Sequence, residues 1–196
     1  KSRSDDFSTF CLRLLHEVPF LEHLCPSDDQ RQSKINFDVK PARASHQPSV
    51  KSVGIFGQIT GSRADMVIAD DIEVMNNSMT QGMRDRLSES VKEFESVLKP
   101  NGRIVFLGTP QCESSLYNIL PERGYKKRVW TARYPNEKQK EYLGHSLAPM
   151  IGHALELKPE LKGETTESKR FSNEDLAERE VSYGRSAFAL QFMLDT

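Results

Sequence analysis

The sequence predicts an α/β domain, and two apolar strands joined by an amphipathic helix are the observations that predict it. Met66, Val67, Ile68 and Ala69 form an unbroken apolar run, which suits a buried strand of a parallel sheet, covered on both faces. Arg103 to Leu107, RIVFL, reads as a second strand. Between them Met83, Leu87, Val91, Phe94 and Leu98 recur at helical spacing. Strand, helix and strand make a βαβ unit, and the right-handed crossover sets the two strands parallel. Their carboxyl ends then open on one edge, where open α/β sheets bind ligands.

Both strand ends carry polar chemistry. The first runs directly into Asp70 and Asp71, with Glu73 two residues on, where strand alternation would put it on the same side as Asp71. Carboxylates at such an edge can hold Mg2+ directly and through its bound waters. The second ends in Gly108, Thr109, Pro110 and Gln111, which brings a hydroxyl and an amide able to bond a phosphate or position a water. Each feature alone also reads as an ordinary turn, so their shared edge is what makes them a site.

The remaining elements follow in order. Phe7, Phe10, Cys11, Leu14, Leu15 and Val18 form one apolar stripe behind Asp5 and Asp6, predicting a core-facing helix. Ile35, Phe37 and Val39 alternate as in a half-buried strand, and Ser49 to Gly57 reads as another. Gln58 to Arg63 is a glycine-containing loop. Ser114 to Leu120 predicts a short helix, and Tyr125 to Arg133 a strand that carries Trp130 into the core. Prolines and glycines interrupt residues 134 to 170, predicting broken helices. Ser172 with Asp175 is a capping-box signature for a helix through Tyr183, stopped near Gly184.

Composition fits this reading. The 196 residues are 37% hydrophobic and 28% charged, enough for a core of ordinary size and a small lobe, and they are not disordered. No apolar run approaches the ~20 residues that cross a bilayer. Cys11, Cys25 and Cys112 include no Cys-x-x-Cys pair, which argues against a disulfide framework and a zinc ribbon. Net charge is −1, but its distribution is uneven. Arg31, Lys34, Lys40, Arg43, Lys51 and Arg63 face the single acid Asp38 between residues 31 and 63, a stretch that could meet phosphate. Residues 64 to 83 then carry Asp65, Asp70, Asp71 and Glu73 and no Lys or Arg.

The order GSRADMVIADDIE, a long helix, then IVFLGTPQ resembles the ATPase domain of the terminase large subunit, the DNA-packaging motor of tailed phages, in its podovirus form. The segment RFSNEDLAEREVSYGRSAFALQFML, residues 170 to 194, is similar to the stretch leading from that motor towards its nuclease. The resemblance implies a P-loop NTPase-like (ASCE) sheet with flanking helices, here incomplete, plus a small C-terminal helical lid or linker region. Residues 1–133 would be the later part of the motor core and 134–196 the lid or linker leading towards an absent nuclease. The first strand would be the Walker B motif and the second, ending in GTP, the coupling motif.

What the family does is implied with it: ATP hydrolysis with Mg2+ by a homo-oligomeric ring at the procapsid portal in the host cytoplasm. That ring drives double-stranded DNA inward alongside the portal protein and the small terminase subunit. By position, Asp70 would hold Mg2+ and Asp71 would activate the attacking water, with Glu73 as the alternative carboxylate. Thr109 and Gln111 would sense the γ-phosphate, and Arg63 would reach a neighbouring subunit's phosphates or DNA. Two departures stand out. No Gly-x-x-x-x-Gly-Lys-Ser/Thr loop occurs, so the chain is expected to be a fragment inactive on its own. Asp70-Asp71 also stands where the family often has Asp-Glu. Two other classes remain open: a metal-dependent nuclease using Asp65, Asp70, Asp71 and Glu73, and a non-catalytic DNA- or protein-binding module.

Overall fold

The computed structural model describes residues 2–196. Its helices are α1 (Ser2–Glu17), α2 (Met75–Ser78), α3 (Gln81–Val97), α4 (Leu116–Ile119), α5 (Glu137–Leu143), α6 (Pro149–Leu157), α7 (Asn173–Tyr183) and α8 (Arg185–Phe188). Its strands are β1 (Asn36–Phe37), β2 (Val50–Lys51), β3 (Ala64–Asp70) and β4 (Leu98–Leu107). Among the described residues these strands form two two-stranded sheets, β1 with β2 and β3 with β4. The architecture is mixed α/β, and the predicted strand–helix–strand unit is β3–α3–β4. By contacts the chain falls into two compact units, Lys1–Ile68 with Ser88–Val105, and Ala69–Leu87 with Phe106–Thr196.

In the first unit β1 and β2 pair antiparallel, with Phe37 opposite Val50. Phe37 is buried and Ile35 exposed, so the alternating segment narrows to two residues. The stretch from Ser49 to Gly57 likewise forms a strand only at Val50–Lys51. Asp38 organises the neighbouring loop, accepting from the Arg31 and Ser49 backbone N–H groups and pairing with the Arg31 guanidinium at 3.3 Å. α1 forms as predicted, and of its stripe Cys11, Leu14 and Leu15 are half-buried while Phe7 and Phe10 are exposed; among its described residues Ser8 is the most buried. α3 buries Leu87, Val91 and Phe94 of its predicted stripe, while Met83 is exposed and Leu98, expected on the helix, already opens β4; Val97 is buried in its place.

The buried strand expected at residues 66–69 is only partly buried. Ala69 is 3% exposed, whereas Met66 and Ile68 are each about half exposed. An apolar run is covered on both faces only where other strands and helices flank it, and β3 has one paired neighbour among the described residues.

Among the described residues the second unit holds two apolar clusters. Val129, Leu143, Leu147, Ala148, Ile151 and Leu155 form one, where α5 and α6 bury their apolar sides. Leu176, Phe188 and Met193 form the other, edged by Phe171 and Phe192, with the Phe188 and Phe192 rings stacked at 4.8 Å. Residues 125–133 make isolated bridges, Val129 to Leu147 and Arg133 to Thr165, in place of the expected strand. The extended alternation survives in residues 129–131, where Val129 and Thr131 point inward. Trp130, expected in the core, therefore faces outward and is exposed. Helices broken at prolines and glycines occupy residues 137–161 as anticipated. α7 opens on the predicted capping box: Ser172 Oγ accepts the Asp175 N–H, Asp175 accepts the Ser172 N–H, and the chain turns at Gly184 with φ 75°. The Ser172 hydrogen bonds hold the Asp175 carboxyl below the usual carboxylate range.

Candidate active site

β3 and β4 end side by side. The Asp71 N–H, one residue past β3, donates to the carbonyl of Leu107, the last residue of β4, at 3.0 Å. The carboxyl ends of the two strands thus meet at one edge, as a parallel βαβ pair requires. Asp70 and Asp71 present exposed side chains there. Asp71 has φ 45°, a left-handed conformation that a short polar side chain tolerates better than most. This turn ends the strand's alternation of facing, and the next carboxylate goes elsewhere.

Glu73 lies inside, 2% exposed, whereas Asp71 is at the surface. One Glu73 carboxylate oxygen accepts the Gln111 N–H at 3.0 Å and the other accepts the Leu116 N–H at 2.6 Å. Burying a carboxylate is costly unless its oxygens are bonded, and two charge-assisted amide bonds supply that. The segment around it is braced as well: Asn77 accepts from the Val74 N–H and donates to the Ile72 carbonyl.

The loop after β4 is held with equal economy. Leu107 O accepts a second bond, from the Tyr117 hydroxyl at 3.1 Å. Burial pushes the Tyr117 phenol up to about 12, and the negative charges of Glu73 and Asp71 add to the shift. Gly108 is required by close approach, since a Cβ there would lie 2.0 Å from the Tyr117 hydroxyl oxygen. Thr109 is half-buried, and its carbonyl accepts the Gln111 side-chain amide at 3.0 Å. Ser115, fully buried, caps α4 by accepting the Tyr117 N–H.

Asp70, Asp71, Thr109 and Gln111 therefore belong to one pair of strand ends, and Glu73 joins the same ends from within. Arg63 lies in the first unit, exposed, with its guanidinium donating to the Ser62 carbonyl at 2.8 Å. It makes no pair with Asp65, whose carboxylate meets Lys99 Nζ at 2.8 Å. Sequence reasoning missed Tyr117, Ser115 and the amides of Gln111 and Leu116. Gly108 directly after a strand was the one local signal of a close neighbour.

Among the described residues no group of three or more His, Cys, Asp or Glu side chains is placed to hold a metal ion. With Asp65 on Lys99 and Glu73 on backbone amides, the converging carboxylates that a two-metal nuclease needs are not assembled. Mg2+ shared between protein and a phosphate substrate needs only one or two carboxylates, with water completing its shell. The exposed Asp70 and Asp71 fit that demand.

No family model matches the chain. It is 49% identical to a protein described as the terminase large subunit of Enterobacteria phage T3, over a 200-residue alignment that takes in the whole of this chain. The chain is a homologue of the terminase large subunits. It spans about a third, 34%, of the length of that relative. The terminase relationship agrees with the resemblance carried by the two strand-end motifs.

Proposed function

We propose that this chain is part of the ATP-hydrolysing motor of a terminase large subunit, which drives double-stranded viral DNA into the procapsid. The observation that carries the reading is the meeting of the Asp71 N–H with Leu107 O, which puts an exposed acidic pair beside a Gly-Thr-Pro-Gln loop at one sheet edge. The 49% identity to the T3 terminase large subunit supports it. In this reading β3 and β4 belong to a P-loop-type sheet, residues 1–133 to the motor core and 134–196 to a lid or linker.

Phosphoryl transfer asks the protein mainly for positioning and charge stabilisation. Asp70 is the Mg2+ carboxylate, and Mg2+ when bound neutralises charge on the phosphate oxygens. Asp71, turned outward by its left-handed backbone, orients the attacking water and accepts its proton. Thr109 and Gln111 follow the γ-phosphate. Gln111 has the means, because its side chain is bonded to the Thr109 carbonyl while its backbone is bonded to Glu73, so a change at the loop is felt at both. The partners are double-stranded DNA, the portal protein, the small terminase subunit and further copies in a ring. No helix among the described residues is long and apolar enough to cross a membrane.

The test is DNA packaging and ATP hydrolysis by the full-length protein containing this segment. Asp70→Asn should abolish both while leaving the fold intact. Packaging at the wild-type rate by that variant would refute the reading.

A further inference from the structure

We propose that Glu73 is a positioning residue: a buried carboxylate clasp that fixes the acidic end of β3 to the loop and helix that follow β4. The proposal rests on the reading of this edge as the hydrolysis site. Glu73 is only two residues from Asp71, yet its carboxylate is turned inward and ties to Gln111 and Leu116, 38 and 43 residues further along the chain. A carboxyl group offers an acceptor on each of its two oxygens, so one side chain can take two amide N–H groups at once. The Gln111 amide belongs to the residue whose side chain holds the Thr109 carbonyl, and Leu116 opens α4, which places Tyr117 against Leu107 O. Through these bonds the loop from Gly108 to Ser115 and the Asp70–Asp71 turn are one braced body.

A water-activating carboxylate needs access to water and substrate. Glu73 is 2% exposed and both its oxygens are occupied by backbone donors. Its contribution is to keep Asp71 and Thr109 in register, and misplacement of reacting groups by as little as an ångström can cost on the order of 100-fold in rate.

The experiment uses the full-length protein. Amide hydrogen exchange at Gln111 and Leu116 is compared in wild type and Glu73→Gln, alongside kcat and KM for ATP in Glu73→Gln, Glu73→Ala and Asp71→Asn. Both amides should be protected in the wild type. Glu73→Gln, which keeps the shape but replaces one acceptor oxygen with an NH2 donor, should release at least one of them. Its kcat should fall about tenfold with KM little changed, and it should remain more active than Glu73→Ala. Asp71→Asn should leave both amides protected. Rapid exchange of either amide in the wild type, a measurement that needs no variant, would overturn the proposal. So would Glu73→Gln as inactive as Glu73→Ala and Asp71→Asn with exchange unchanged, which would make Glu73 the water-activating group. No ATP hydrolysis by the wild type would overturn the proposal together with the reading beneath it. Normal wild-type hydrolysis with exchange and kcat unmoved in Glu73→Gln would overturn the proposal alone.

Discussion

Gly108 and Tyr117 fit only as a pair: the space a Cβ on Gly108 would occupy is already taken, 2.0 Å from its position, by the Tyr117 hydroxyl oxygen. That hydroxyl reaches over Gly108 to donate to Leu107 O, the carbonyl that also accepts the Asp71 N–H. Gly108→Ala must therefore displace a buried ring or bend the strand end. Overpacking of this kind costs about 1–3 kcal/mol, and chemical denaturation should find Gly108→Ala destabilised by that amount. Stability equal to wild type would show that the ring can move aside freely.

Tyr117 should ionise well above the ordinary range of a phenol. Its folded-state value, pushed up to about 12 from an ordinary 10, means that the native protein holds the phenolic proton more tightly than the unfolded chain does. The sign follows directly. The stabilising contribution is complete below pH 10 and is lost as the pH rises from 10 through 12. Tyrosinate absorbance in the folded protein should show a step near pH 12, and Tyr117→Phe should remove it. A tyrosinate titration unchanged by Tyr117→Phe above about pH 11 would contradict it.

The sequence made the βαβ unit legible because its signals are local: an apolar run, a helical stripe and a second run, realised as β3, α3 and β4. The capping box at Ser172 and Asp175 was equally readable, since all its atoms lie within one turn. Residues whose placement depends on distant partners were not. Met66 and Ile68 carry the composition of a buried strand, yet their exposure depends on what covers the sheet. Trp130 looked like core by size alone, while alternation with Val129 and Thr131 turns it outward. In the site, Asp70 and Asp71 could be read from their position at a strand end. The inward turn of Glu73 could not, because it follows from the left-handed backbone of Asp71 and from amides about forty residues away.

Arg63 tests the ring. Its side chain is exposed and, among the described residues, donates to the adjacent Ser62 carbonyl, so it is sterically able to serve a neighbour. The planar, permanently charged fork suits phosphate oxygens. If it acts across a subunit boundary, full-length Arg63→Ala mixed with full-length Asp71→Asn should recover part of the hydrolysis that each lacks alone. Normal ATP hydrolysis and packaging by pure Arg63→Ala would remove it from the mechanism.

The most direct test of the central claim is nucleotide binding and steady-state ATP hydrolysis measured side by side on the full-length protein and its Asp71→Asn variant. The carboxylate at the end of β3 is assigned to the attacking water and not to the bound nucleotide. Asp71→Asn should therefore bind ATP with wild-type affinity and hydrolyse it at no more than background rate. Hydrolysis at the wild-type rate by a folded Asp71→Asn protein would contradict the account, because the exposed acidic pair beside Leu107 would then not be where the chemistry takes place.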